Sequence, residues 1–68
     1  MELTPVASSD LSAVGFDGST LVIEFHGGSI YEYYGVPPAE YFGLVNAGSH
    51  GKYFHQNIKG RYAYPRIV

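Results

Sequence analysis

The sequence predicts an α+β domain: a three-stranded antiparallel meander covered on one face by two short helices. Three observations support this fold class: alternating apolar and polar residues in the first half, a Val-Pro-Pro stop at 36–38, and helical spacing of apolar residues after it. The 68 residues contain no repeat or linker, so we expect a single domain, 1–68, with its core at about 8–66. Because no cysteine is available for a disulfide, the seven Tyr and four Phe must supply much of the core.

Three strands follow an extended lead-in at 1–8 that shows no hydrophobic period. The first strand, 11–17, is joined to the second, 20–26, through Asp17-Gly18, a pair that favours a tight hairpin turn. The third strand occupies 29–35. Within the first strand, alternation places two sets on opposite faces: Ser12, Val14 and Phe16 against Leu11, Ala13 and Gly15.

The register of the second hairpin decides which tyrosines are buried. A two-residue glycine loop would place the Glu32 carboxylate on the apolar face, where an unpaired charge costs on the order of several kcal/mol. A three-residue loop at 27–29 instead pairs Tyr31 with Phe25. We therefore expect the longer loop, which puts Tyr31 and Tyr33 on the buried face beneath the first helix.

Two helices are predicted after the third strand. Pro37 ends that strand because proline has no N–H for the sheet, and the next residue, also proline, suits a first helical position. The first helix is predicted at 38–47 from its apolar stripe, Tyr41, Leu44 and Val45. Ser49 is expected to cap the second helix, 50–58, and the alternation that includes Tyr62 gives the option of a fourth, edge strand at 62–66.

The charges are unevenly distributed along a chain whose net charge is −2. All six acidic residues precede position 41, whereas the four strong bases follow position 51. A basic patch on an acidic protein is therefore expected, and bases interleaved with aromatic rings are typical of nucleic-acid contact. The candidate nucleic-acid-binding residues are Lys52, Lys59, Arg61, Arg66, Tyr64 and His55.

Other classes of function receive little support. The first ten residues lack the pattern of a secretory signal, and no apolar run is long enough for a membrane span, so we expect a cytoplasmic protein without membrane contact. His50 and His55 are five positions apart, off the spacing that aligns two metal ligands on a helix, and we expect no metal or cofactor. Ser49 and His50 are adjacent and point in different directions, so we expect no catalytic site.

These positions together resemble the KTSC family, named for the C-terminal domain of some lysyl-tRNA synthetases and also found as small stand-alone bacterial proteins. The similar positions lie between about Ser8 and Arg66: Leu21, Ile23, Phe25, the Tyr31-Glu32-Tyr33 motif, Val36-Pro37, Ser49, Gly51, Tyr53, Phe54, Ile58 and Tyr62. The fusion to a tRNA-charging enzyme implies an RNA-binding role for such domains. Tyr31, Tyr33, Pro37, Ser49 and Tyr62 are interpreted as structural members of the motif.

The leading hypothesis is a non-enzymatic accessory domain that binds RNA, structured or tRNA-like, through the C-terminal basic and aromatic segment. The alternative is a protein–protein interaction module. It would use the outer sheet face, formed by Val22, Ile30 and Tyr34, because that face is unusually apolar for one meant for water.

Overall fold

The computed structural model describes residues 2–68 as one antiparallel sheet covered by two helices. The strands are β1 (Thr4–Pro5), β2 (Leu11–Phe16), β3 (Leu21–Phe25) and β4 (Ile30–Tyr33), and the helices are α1 (Pro38–Asn46) and α2 (His50–Asn57). The strand order β1-β2-β3-β4 is that of a meander. The predicted α+β class, with two helices on a small antiparallel sheet, is confirmed.

The lead-in at 1–8 contains a short strand that the sequence did not indicate; Met1 lies outside the described residues. β1 pairs with β2, with Pro5 opposite Ala13. The backbone N–H of Val6 donates to the Ser12 carbonyl at 3.2 Å. A proline is tolerated here because β1 is an edge strand, where one side of the backbone needs no partner.

A bulge in β2 corrects the predicted alternation of that strand. Its register against β3 shifts between Leu11 and Ala13, which leaves Ser12 as the extra residue. The shift moves Leu11 onto the face that carries Val14, where Leu11 is fully buried. Burial of a leucine side chain contributes about 1.5–3 kcal/mol, which favours the bulge over strict alternation.

The second hairpin closes earlier than predicted. Phe25 donates its N–H to the Ser29 carbonyl at 2.9 Å, and Tyr31 lies opposite Ile23, not Phe25. The predicted loop at 27–29 was therefore wrong, and the register differs by two residues. Both loop glycines take positive φ angles, which lets the turn start at the preceding histidine. Because a shift of two keeps each side chain on its face, the predicted burial side of the tyrosines is unaffected.

Tyr33 of β4 lies under α2, whereas both tyrosines of this strand were predicted to lie under the first helix. Tyr33 contacts Phe54 of α2 with ring centroids 5.4 Å apart, and only 2% of Tyr33 is exposed. Helix α1 instead covers Phe16, on which Tyr41 stacks at 4.7 Å. Phe54 is the largest of the fully buried side chains, and it occupies the space above Tyr33.

Residues 63–68 run along the free edge of β4, close to the segment for which an edge strand was an option. Tyr34 donates its N–H to the Ala63 carbonyl at 3.0 Å, and a β-bridge joins Tyr31 to Arg66. We call residues 63–68 the C-terminal segment. Its position on β4 brings late residues of the chain against the inner tyrosines.

The Glu40 carboxylate ties α1 to α2 and to Tyr62, the residue just before this segment. Glu40 Oε1 accepts a hydrogen bond from the Tyr53 hydroxyl at 2.6 Å, and Oε2 accepts one from the Tyr62 hydroxyl at 3.2 Å. Gly43 of α1 leaves room for the Tyr53 ring, because a Cβ there would lie 2.6 Å from Tyr53 Cζ. We call this group of residues the Glu40 clamp.

Candidate nucleic-acid interface

The side chains of Tyr31 and Tyr33 lie on the sheet face that the helices cover, which we call the inner face. An open cleft of about 450 Å³ lies where the C-terminal segment and the end of α2 meet this face. Its floor is aromatic and its rim is polar, and we call it the aromatic cleft. The floor consists of Phe25, Tyr31, Tyr33, Phe54 and Tyr64; the rim consists of Asp10, Ser29, His55 and Lys59.

Tyr64 forms the most exposed part of the floor. Its ring lies 5.6 Å from Tyr31 and 5.2 Å from Tyr33, measured between centroids. These contacts follow from the pairing of the C-terminal segment with β4, since that register places Tyr64 beside Tyr33 on the inner face. Tyr64 nevertheless remains 48% exposed, so one side of its ring is open to a ligand.

Tyr33 reaches the cleft from a buried position. Burial raises the pKa of its phenol, and the neighbouring Tyr64 and Tyr31 add to that effect. The hydroxyl therefore stays protonated at neutral pH. Because no hydrogen-bond partner for this hydroxyl occurs among residues 2–68, it is an available donor in the floor of the cleft.

The rim carries a contact between a histidine and a carboxylate that the sequence did not indicate. His55 Nε2 lies 2.8 Å from Asp10 Oδ2, although the two residues are 45 positions apart. Asp10 is held just before β2 because Ser8 Oγ accepts the N–H groups of Asp10 and Leu11, each at 3.2 Å. No local sequence pattern could have identified this pair, since it depends on α2 lying against the start of β2.

Glycine at 51 permits the close approach of α2 to Asp10. A Cβ at Gly51 would lie 3.3 Å from the Asp10 Cβ, which is tighter than most such contacts. Ser49 begins the helix at the correct place, because its side-chain oxygen accepts the Lys52 N–H at 3.2 Å. The local sequence thus positions His55 on the side of α2 that meets Asp10.

Three basic side chains lie along and just beyond α2. Lys52 and His55 are three residues apart, which places them on one side of the helix, and Lys59 lies in the turn that follows α2. Lys59 and His55 border the aromatic cleft. Lys52 and His55 border an adjoining cleft of about 430 Å³, lined also by Ser8 and Asp10. We call these three residues the cationic row.

The two predicted arginines lie elsewhere and line neither cleft. Arg66 is opposite Tyr31 in the C-terminal segment, and its Nε donates to the Val68 carbonyl at 2.9 Å. Arg61 follows α2 and is exposed. Of the six predicted nucleic-acid contacts, the structure thus brings Lys59, His55 and Tyr64 into one cleft, places Lys52 next to it, and leaves the arginines outside.

The structural members of the motif all contribute to the architecture around the cleft. Tyr31 and Tyr33 lie in its floor, and Pro37 occupies the N-cap position of α1. Ser49 caps α2, and Tyr62 belongs to the Glu40 clamp.

The outer sheet face offers less surface than its sequence suggests. Val22 is only 7% exposed, and Ile30 is half-buried. Tyr34 is 45% exposed, and its hydroxyl donates to Glu32 Oε1 at 2.8 Å. The hydrogen bond to this carboxylate raises the pKa of Tyr34.

Two further properties concern the described residues, 2–68. In this part of the chain no three His, Cys, Asp or Glu side chains are grouped closely enough to hold a metal ion. Neither α1 nor α2 has the length and apolar character needed to cross a membrane.

Comparisons with known proteins place this architecture in a family. The sequence matches the KTSC domain over residues 7–62. The crystal structure of a KTSC domain protein from Yersinia pestis is similar, with a TM-score of 0.92 and 33% sequence identity, covering 98% of this chain and 97% of that one.

Sequence relatives include both long and short proteins. A lysine–tRNA ligase from a Nostoc species is 50% identical over 48 residues, which is 71% of this chain; this chain spans only 9% of the ligase. An uncharacterized protein from Stutzerimonas stutzeri is 37% identical over 70 residues, covering 98% of this chain and 99% of the relative. From the match over most of its length and from the shared fold, the chain belongs to the KTSC domain family.

Proposed function

We propose that this domain binds RNA through the aromatic cleft and the adjoining cationic row. The observation that carries the proposal is the exposed ring of Tyr64 in the floor of a cleft whose rim includes Lys59. Unpaired bases stack on aromatic faces with about 1–3 kcal/mol each, and ammonium groups pair with phosphates. A ring and a cation that line the same cleft can therefore hold a base and its phosphate together.

The relatives favour tRNA-like RNA as the ligand. A lysine–tRNA ligase acts on tRNA, as its name states, and a segment similar to this chain forms a small part of such ligases. A domain carried beside a tRNA-charging enzyme gains from contact with the same RNA.

The salt dependence of binding should tell how many cations take part. Each phosphate contact on a single strand contributes roughly −0.7 to the slope of log affinity against log salt. If Lys52, Lys59, Arg61 and Arg66 all contact phosphates, the slope is about −3; if only the two lysines do so, it is about −1.4. The second value is expected for a ligand confined to the cleft, and the first for RNA that also passes the C-terminal segment.

A pair of tyrosine variants tests the proposal directly. Tyr64 and Tyr34 are almost equally exposed, at 48% and 45%, but they lie on opposite faces of the sheet. Tyr64→Ala should weaken binding of single-stranded RNA or tRNA about 5- to 150-fold through the lost stacking, whereas Tyr34→Ala should leave affinity unchanged. Affinities are measured by NMR titration at about 50 mM salt, with folding of each variant checked from its amide spectrum.

The results separate the two candidate functions. Equal affinity of both variants and the parent, or unmoved amide resonances at 50–66 in the parent, would contradict RNA binding at the cleft. Binding of a protein partner that is lost in Tyr34→Ala would favour the protein–protein alternative. That alternative has weaker support, because the burial of Val22 leaves Ile30 and Tyr34 as the main apolar groups on the outer face.

A further inference from the structure

We propose that the aromatic cleft selects an unpaired nucleotide whose base carries an exocyclic amino group, and that Asp10 is the residue that makes this selection. The inference deepens the RNA-binding function proposed above and rests on it. It assigns a chemical preference, for adenine, cytosine or guanine over uracil, to one carboxylate in the rim.

The size of the cleft suits a single nucleotide. Its volume of about 450 Å³ falls in the range of small-ligand sites. The rings of Tyr31, Tyr33 and Tyr64 are already in mutual contact, so a base cannot insert between them. It can stack on the exposed side of Tyr64, and the cleft then places its polar edge toward the rim.

Asp10 presents an unused acceptor at that rim. Its Oδ2 is bound by His55, but Oδ1 has no hydrogen-bond partner among residues 2–68. An ionised carboxylate only accepts hydrogen bonds. Amino groups of adenine, cytosine and guanine donate to it, whereas uracil presents its single N–H between two carbonyl oxygens that face the negative charge.

The position of Asp10 is fixed well enough to discriminate between bases. Ser8 holds its backbone, His55 holds one carboxylate oxygen, and α2 packs so closely against it that a Cβ added at Gly51 would lie 3.3 Å from the Asp10 Cβ. A group fixed by such contacts loses little freedom when it binds a ligand. Discrimination by hydrogen bonding requires a fixed partner, because a mobile side chain adapts to either base.

Positive charges near Asp10 offset the repulsion between its carboxylate and the phosphates of RNA. His55 balances Asp10 when its ring is protonated, and Lys59 borders the same cleft. The phosphate of the bound nucleotide pairs with Lys59, while the base edge meets Asp10. This division separates the two negative groups and gives the nucleotide one orientation.

The first test uses the unmodified protein and three RNA hexamers of A, C or U. Hydrogen bonds to a charged group discriminate about tenfold or more, so the A and C hexamers should bind at least about tenfold more tightly than the U hexamer. NMR titration supplies both the affinities and the site, with shifts expected at Asp10, Lys59 and Tyr64. Equal affinities for the three hexamers would overturn the selection while leaving RNA binding in place.

A matched pair of variants tests the assigned residue. Asp10→Asn replaces the charged acceptor with an amide that also donates, so the preference for A and C over U should fall to about twofold or less. Glu24→Gln removes the same charge from the outer sheet face and should keep the parent preference. A preference unchanged in Asp10→Asn would contradict the role of Asp10.

The remaining outcomes are also decisive. No binding of any hexamer or of tRNA would overturn the proposed function and the selection together, whereas binding without base preference overturns the selection alone. If Asp10→Asn does not fold, His55→Gln serves instead, since it keeps the carboxylate but weakens its positioning. The A/U ratio should then fall without reversing, and an unchanged ratio would count against the inference.

Discussion

The Glu40 clamp and the aromatic cleft each contain a carboxylate near tyrosine rings, but the hydrogen bonding of the two carboxylates differs. In the clamp, the carboxylate accepts hydrogen bonds from two tyrosine hydroxyls, Tyr53 and Tyr62, at a partly buried junction. In the cleft, the carboxylate of Asp10 is shared with exposed His55, and one oxygen stays free. A carboxylate whose two oxygens are bound stabilises the fold, whereas one with a free oxygen beside an open cleft is available to a ligand.

The largest expected effect concerns Phe54, a buried residue in the floor of the cleft. Phe54→Ala should lower the free energy of unfolding by about 3–5 kcal/mol, because it leaves a cavity next to Phe25 and Tyr33. A domain of this size is stable by only about 3–10 kcal/mol in total. Phe42→Ala is the control, since Phe42 is 60% exposed and should change stability by less than about 0.5 kcal/mol. Urea denaturation measures both, and similar losses would mean that Phe54 is not a core residue.

Gly43 should prove essential to the clamp despite its poor helix propensity. Alanine would favour the helix by about 1 kcal/mol, but its Cβ would overlap the Tyr53 ring and displace the hydroxyl from Glu40. Overpacking costs about 1–3 kcal/mol, and the lost charged hydrogen bond about 1.5–3 kcal/mol, so after the gain in helix propensity a net loss of about 1.5–5 kcal/mol is expected. Gly48→Ala has open space around it and should be nearly neutral in the same thermal or urea measurement. A stabilised Gly43→Ala would contradict the geometry of the clamp.

The two carboxylates should differ in their contribution to stability. Glu40→Gln weakens two hydrogen bonds at a partly buried junction and should cost about 1–2 kcal/mol. Asp10→Asn weakens an exposed contact with His55 and should cost less than about 1 kcal/mol. Denaturation curves of the two variants, recorded under the same conditions, measure both losses of unfolding free energy. If Asp10→Asn proved the more destabilising variant, the division between a structural clamp and an available cleft carboxylate would fail.

The smallest expected effect is on tyrosine ionisation. The hydrogen bond to Glu40 raises the pKa of Tyr53, whereas burial is the main cause of the raised pKa of Tyr62. Glu40→Gln should therefore lower the pKa of Tyr53 more than that of Tyr62. A folded-state pKa above the unfolded value of about 10 means that this stabilisation is present below pH 10 and lost as pH rises through the folded pKa. Residue-resolved NMR titration of the phenol rings would test the order, and equal shifts would contradict it.

Much of the fold was predictable because its signals are local. Apolar alternation identified β2, β3 and β4, the two prolines placed the start of α1, and Ser49 marked the start of α2. The same patterns predicted the burial face of Tyr31 and Tyr33 correctly. Each of these signals lies within a few residues, where backbone geometry alone decides which way a side chain points.

The register of the strands and the composition of the aromatic cleft depend on contacts between segments that are distant in sequence. The bulge at Ser12, the early turn before Ser29 and the strand at Thr4–Pro5 follow from which pairing buries the most apolar surface. No local pattern encodes that competition.

By itself, the sequence determined the buried faces of β3 and β4, the helix starts and the placement of the bases after the aromatic strands. Only the tertiary structure decided that Tyr64 lies over Tyr33 and that His55 meets Asp10 across 45 positions of chain. The physical reason is that periodicity orients a residue within its own element, whereas packing of α2 and the C-terminal segment onto the sheet selects its neighbours.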